Sequence, residues 1–419
     1  MRRTTWVYLG SYSLSLLGNG IALVLFPLLV LATTGDVLAA GVLASVTLGV
    51  AAVVGLFAGV VVDRVNRRTV SIVSDVLSAG SIAAIPVVDA TVGLNLAWFV
   101  VLGVVGACGD MPGMTAREAL LPQLVRLDGA RPGTLDRLVG VRESLSGALM
   151  LVGPGVGGLL VWAFGVDAVA LSVTAGTSLA AALLTLLMSP RAGDVQPGEV
   201  RAARGVRGVA TDLLTGWRFL LGSRLVLGAT LVTAALVAVI AALQTTVLPA
   251  YFTDEGLPEL SGFAATGIAV GSLAGAAVFA TTVGRVSRRA WFVTGMVGMA
   301  AGFTVIGLLA APWTVLVGAV VVGLTQGPMS AVLGVATIEA TPDENRGRVL
   351  GAQNALVLAA PAVSAAPVAA IASAHGLTAA GLVVAGLVMV TAAVALLAPA
   401  FRSLDAPGRM GRADRPEEA

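Results

Sequence analysis

"GVVVDRVNRR", residues 59–68, sets four charges side by side in a chain where only 11% of residues are charged. A worn copy, "ATTVGRVSRR", stands at 280–289, an offset of 221 residues in a chain of 419. The second copy has Gly284 in place of Asp63 and Ala280 in place of Gly59. A charged knot that returns after half the chain marks an internal repeat. What surrounds each copy says what is repeated.

The surroundings are apolar. Hydrophobic residues make up 57% of the chain, with 52 glycines, whereas a soluble domain carries roughly 25% charge. The apolar residues come in long runs, and a bilayer core about 30 Å thick needs roughly 20 of them per helix. Twelve runs are readable, at 6–33, 38–62, 69–88, 92–116, 137–164, 166–188, 224–251, 259–282, 290–311, 313–338, 348–374 and 376–398. The alternation of a membrane barrel is missing, so these are helices. The fold class is an all-α membrane protein of twelve transmembrane helices. The first run is too long for a signal-peptide core and no small-residue cleavage site follows it, so it reads as a retained span.

Every basic residue is arginine. The arginines occupy the N-terminus, the even-numbered loops with the adjoining helix ends, and the C-terminal tail. The odd loops ("TTGD", "DATVGLN", "FGVD", "TDEGLPEL", "APWT", "SAHG") carry acids but no arginine. Loops rich in Arg stay on the cytoplasmic side, so both termini are expected inside, at a bacterial plasma membrane. "RLVGVRES" at 137–144 is echoed by "GRVLGAQN" at 347–354, each leading into a proline-containing helix. The chain therefore divides into a six-helix half at 1–188, a cytoplasmic linker at 189–223, a second six-helix half at 224–398 and a tail at 399–419. Paired halves are the build of many secondary transporters, with the substrate held near the midplane between them.

Enzyme chemistry has no foothold. No G-x-x-x-x-G-K-[ST] phosphate loop is present, so ATP does not drive it, and "GPGVGG" at 153–158 lies inside a span. One cysteine, Cys108, and one histidine, His375 in a loop, allow no internal disulfide, cysteine metal cluster or nucleophile–histidine–acid set. No cofactor is expected, and no nucleic acid partner.

With the twelve spans placed, the opening stretch matches G-x-x-x-D-R-x-x-R-R, between helices two and three of the major facilitator superfamily, which the chain resembles from about 6 to 400. "GPGVGG" resembles the G-P-x-x-G-G core of the fifth-helix antiporter motif. "GMTAREALLPQLV" at 113–125 and "LPAYFTDEG" at 248–256 resemble the drug:proton antiporters of the actinobacterial Tap-type multidrug efflux group, kin to macrolide and enterobactin exporters. The resemblance implies a monomeric exporter of amphiphilic drugs or metabolites (tetracycline-, aminoglycoside- or macrolide-like), exchanging them for protons by alternating access. Such pumps confer antibiotic resistance. An exporter of an endogenous siderophore or natural product, or an uncoupled lipid or amphiphile facilitator, stays open beside it.

Residue roles follow. Gly59 is read as permitting close helix approach, and Arg64, Arg67 and Arg68 as anchoring the loop. The resemblance implies that Asp63 meets the N-terminus of the eleventh helix, near 346–349, where the helix dipole favours an anion. It also implies that Gly153, Pro154, Gly157 and Gly158 seal the contact with the second half; tight packing of small residues is the plainer alternative. A charge at the bilayer centre costs about 2.5–3.5 kcal/mol on insertion scales, so buried acids usually have work to do. Asp75, close to Arg67 and Arg68, reads as a structural partner and as a member of the gate network with Arg117 and Arg142. Arg117, Glu118, Arg142 and Glu143 read as a gate network at the inner ends of spans four and five. Asp110, in "ACGDMPGM", is either a proton carrier or a buried hydrogen-bonded acid, with Glu118 and Glu143 as the other sites of proton coupling. Asn19 and Gln244 stand where the resemblance leads one to expect acids, and amides cannot titrate. With Tyr251, Gln326 and Asn354 they are candidates to line a substrate cavity. Residues 208–222 place Val209, Leu213, Leu214, Trp217, Leu220 and Leu221 on roughly one helical face, which predicts an amphipathic helix on the inner leaflet.

Overall fold

The structure, a computed structural model, describes residues 3–127, 134–166, 168–195, 206–282, 285–342, 346–402 and 404. Gly284 and the tail beyond 404 lie outside the described residues. The first half comprises α1 (Arg3–Thr34), α2 (Val37–Val62), α3 (Arg67–Val92), α4 (Leu96–Leu127), α5 (Thr134–Phe164) and α6 (Ala168–Leu186). A linker helix follows, α7 (Val206–Gly222). The second half opens with α8 (Arg224–Ala242), which passes through a π turn (Leu243–Val247) into α9 (Leu248–Asp254). Then come α10 (Leu260–Thr282), α11 (Arg288–Gly307), α12 (Pro312–Ala340), α13 (Arg346–His375) and α14 (Leu377–Leu397).

Among the described residues eleven helices, with α8 and α9 as one, are long and apolar enough to cross a bilayer, and α6 adds a shorter apolar helix over Ala170–Leu186. The chain is a multi-pass membrane protein of two six-helix halves. The polar turns between spans act as caps: Asp36 accepts from the Leu38 N–H at 2.8 Å, Asn66 from Thr69 and Ser223 from Val226, each meeting an N–H that the helix start leaves free. α4 runs eleven residues past the end expected at 116. Its last turns are amphipathic, and they bury Leu120, Leu121 and Leu124 against Tyr8, Leu9 and Leu138.

The π turn stands just before a proline. Pro249 lacks an N–H and its ring crowds the carbonyl four residues back. The helix widens just before it, and the Leu248 N–H reaches Leu243 O.

The two halves meet at the arginine-free end and part toward the arginine-rich end. α2 and α13 record this directly. A Cβ at Gly41 would strike Ala369, one at Gly49 would lie 3.6 Å from Ala362, one at Gly55 3.2 Å from Leu358, and one at Gly59 would meet nothing within 4 Å. Ser45 Oγ accepts the Ala366 N–H across the same seam at 2.8 Å. The close approach expected at Gly59 is therefore absent in this arrangement: the helices have already separated when α2 reaches it.

Candidate functional site

A cavity of about 280 Å³ opens among α1, α2, α3 and α4, and Thr245 of the π turn closes it from the second half. Asn19, Thr47, Ser78, Ser81 and Asp110 are the polar lining from the first half, set among side chains such as Phe26, Leu43 and Met111. The packing that shapes it is a serine ladder against a glycine ladder. Ser71, Ser74, Ser78 and Ser81 of α3 are all buried, at helical spacing. On α4, a Cβ at Gly109 would lie 3.1 Å from Ser74 O and one at Gly113 would strike the Ser74 side chain, while Ser74 Oγ donates to Gly109 O at 2.8 Å. Small residues on both helices let the backbones touch, and the contact holds Asp110 at the cavity wall. The serine spacing is legible in the sequence as a polar stripe on one face of α3.

Of the five residues expected to line a cavity, Asn19 does. Gln244 is half-buried but its neighbour Thr245 takes the lining position, because the widened turn shifts the phase of the helix. Tyr251 is buried at 6% exposure, tilted against Phe252 with ring centroids 5.3 Å apart. Gln326 is half-buried and Asn354 exposed, and neither lines this cavity. The adjacent Gln353 donates to Thr230 Oγ1 at 2.6 Å, tying α13 to α8.

Asp75 does not pair with Arg67 or Arg68. It forms an ion pair with Arg117, the two side chains 2% and 5% exposed, and accepts from Ser15 Oγ at 3.1 Å. Arg67 donates to Ala119 O at 3.2 Å. Arg68 donates to Thr185 O at 3.2 Å and Leu186 O at 2.8 Å, meeting the free carbonyls at the end of α6. Asn66 donates to Pro190 O and Asp194 Oδ1, so the knot also fastens the chain that leaves α6. Arg64 is exposed. The Asp63 carboxyl takes part in none of the hydrogen bonds or ion pairs among the described residues, and so does not engage α13 here.

The gate network divides. Arg117 turns inward to Asp75, whereas Glu118 and Glu143 are 60% and 59% exposed and share Arg142, which lies 3.5 Å from Glu118 and also pairs with Glu143. Neighbours on a helix point different ways, which separates Arg117 from Glu118. Arg142 sits over the Tyr12 ring, Tyr12 stacks on Tyr8, and Tyr8 donates to Arg117 O at 3.1 Å. The two charge groups are thus joined through stacked tyrosines. In the second half Arg288 makes a two-pronged pair with Glu339 at 2.6 and 2.9 Å. The worn copy of the knot therefore clamps α11 to α12, a bond beyond the anchoring read from sequence.

The glycine–proline stretch of α5 faces two ways. Gly153 and Gly157 lie against α1 of their own half, at Gly20 and Val24. Gly158 lies against α10, where a Cβ would be 2.7 Å from Glu259 O, and a Cβ at Gly262 would strike Pro154 O. Thr266 Oγ1 donates to Leu151 O at 3.1 Å across the same contact.

Two six-helix halves joined at one end, with a cavity where a span of the second half meets four of the first, define a transporter rather than an enzyme. The Major Facilitator Superfamily model matches residues 8–284 and 258–418, and the chain belongs to that superfamily. It is 32% identical to the multidrug efflux pump Tap of Mycolicibacterium fortuitum over 392 residues, covering 93% of this chain and 94% of that protein. It is 31% identical to the Tap pump of Mycobacterium tuberculosis H37Rv over 394 residues, covering 93% and 91%. Among solved structures it resembles the nucleoside transporter NupG (TM-score 0.72, 14% identity, 96% of this chain and 99% of that one). It also resembles a bacterial homologue of the lysosomal transporter Spinster in an inward-facing conformation (TM-score 0.70, 13% identity, 96% and 97%).

Proposed function

We propose that this protein is a secondary active exporter of amphiphilic small molecules that works as a monomer by alternating access and exchanges its substrate for protons. The relatives named as multidrug efflux pumps support the direction and the broad substrate class. The observation that carries the reading is the cavity: a mostly apolar chamber with one carboxylate, Asp110, lined chiefly by the first half and touched by Thr245 of the second. Arginine-rich loops belong in the cytoplasm, which places both termini inside and makes the parted end the cytoplasmic one. The arrangement described here is then the state that takes substrate from the cell side or the inner leaflet. Closing the gap between α2 and α13 would bring Asp63 to the start of α13, the latch of the opposite state.

Asp110 is the coupling residue in this reading, since Asp75 is held by Arg117, and Asn19 and Gln244 cannot titrate. Asp110→Asn is expected to abolish pH-gradient-driven accumulation of a tetracycline or macrolide in inverted vesicles while leaving downhill exchange largely intact. Retained uphill transport would move coupling to the Glu118–Arg142–Glu143 cluster. The uncoupled facilitator is the second reading, favoured by the amides at 19 and 244. It predicts that the wild type itself accumulates nothing against a gradient.

A further inference from the structure

The linker helix α7 has two faces in different surroundings. Gly216 and Leu220 are buried. A Cβ at Gly216 would strike the carbonyl of Arg348 and lie 3.3 Å from Ala352 Cβ, so the backbones of α7 and α13 are in contact. Leu220 packs with Val349 and Val226, and all three are fully buried. Leu214, Arg218 and Leu221 stand at i, i+4 and i+7, on the side turned away from that contact. All three are exposed, the leucines at 61% and 63%. Trp217 and Phe219 flank the docked face, half-buried.

The position of this stripe says what meets it. α7 ends at Gly222, and only Ser223 separates it from α8, which crosses the membrane. The stripe therefore lies within about three helical turns of the bilayer edge, on the arginine-rich side. Leucines there enter the acyl boundary, while an arginine lays its apolar stem alongside and lifts its guanidinium to the phosphates. Arg218 and the neighbouring Arg224 complement an anionic headgroup layer.

We propose that the Leu214–Arg218–Leu221 stripe binds an anionic phospholipid surface while Gly216 and Leu220 fix the opposite face of α7 to the first turns of α13. The membrane then holds in place the end of α13 toward which the α2–α13 gap opens. This goes beyond the exporter reading and is independent of what is transported.

The test uses the full-length chain with Cys108→Ser and a single nitroxide at Leu214→Cys or Leu221→Cys. It is placed in nanodiscs of phosphatidylcholine alone or mixed with phosphatidylglycerol. Accessibility to oxygen and to a water-soluble nickel chelate is compared with that of a label at Val286→Cys in the loop before α11. The expected oxygen-to-nickel ratio is several-fold higher at 214 and 221 than at 286, rises further with phosphatidylglycerol, and loses that rise with Arg218→Gln. A ratio equal to the loop reference in both bilayers overturns the lipid contact. A lipid-like ratio that ignores both headgroup charge and Arg218→Gln overturns the anionic preference. Gly216→Leu should lengthen the distance between labels at Leu221→Cys and Leu350→Cys; an unchanged distance overturns the fixed contact with α13.

Discussion

Asp75 and Arg117 are the pair whose loss the molecule is least able to absorb. Both are buried, and each would be left without its counter-ion by removal of the other, a loss of about 3–5 kcal/mol for a buried ion pair broken on one side. Asp75→Asn and Arg117→Met singly are therefore expected to lower the thermal unfolding midpoint in detergent and the folded yield. The double variant should recover most of the loss, because neutral partners of similar volume often replace a buried pair at little cost. A double variant no better than the worse single would show that the two side chains act separately. The pairing was not legible in sequence. Arg67 and Arg68 are near neighbours of Asp75 along the chain, but they sit at the start of α3 and turn to the carbonyls of α4 and α6. Arg117, 42 residues away, reaches Asp75 because the serine and glycine ladders bring α3 and α4 together. The acid's isolation in a membrane helix was readable; its partner depended on a contact between two helices.

At the scale of the element, the decisive feature is where backbone meets backbone. α5 touches α10 through Gly158, whose Cβ would sit 2.7 Å from Glu259 O and 3.3 Å from the Gly262 Cα. Gly158→Val is expected to wedge the halves apart at the arginine-free end. Cysteines introduced on α5 and α10 at that end should then react faster with an impermeant maleimide, and transport should fall severalfold. Unchanged reactivity would mean that α5 tilts to absorb the side chain. Gly59→Ala is the counterpart. It has open space here, so the variant should fold and melt as wild type. If α2 and α13 close in the opposite state, the same variant slows turnover. "GPGVGG" announced a packing surface in the sequence, because proline among glycines leaves little but backbone to pack. Which glycines faced α1 and which faced α10 was not readable, since the split depends on the rotation of α5 about its own axis.

For the whole molecule, the distribution of charge and the spacing of apolar runs were enough to reach twelve spans in two halves. Loop lengths and an offset repeat carry that information locally. The state of the molecule was not readable, because the seam between halves is made of small side chains that fit either way. The gap beside Gly59 and the unengaged Asp63 give one whole-molecule expectation. Asp63→Asn should leave the melting midpoint unchanged, since the carboxylate pairs with no group among the described residues, yet depress efflux per molecule strongly. Normal efflux at equal membrane abundance would rule out a latch. The π turn carries one more consequence, and it concerns the descent of the two halves. Pro27 of α1 and Pro249 of α9 are 222 residues apart, although the charged knots are offset by 221. Gly35 and Gly256, both with positive φ at the ends of their spans (62° and 72°), return to 221. A π turn holds one residue more than an α turn can, and the one-residue excess in the proline spacing falls beside Leu243–Val247, just before Pro249. Deleting Thr246 would remove the extra residue and leave the helix beyond it in its present phase, because the π turn already absorbs that residue. The extra residue sits where the second half reaches into the chamber of the first.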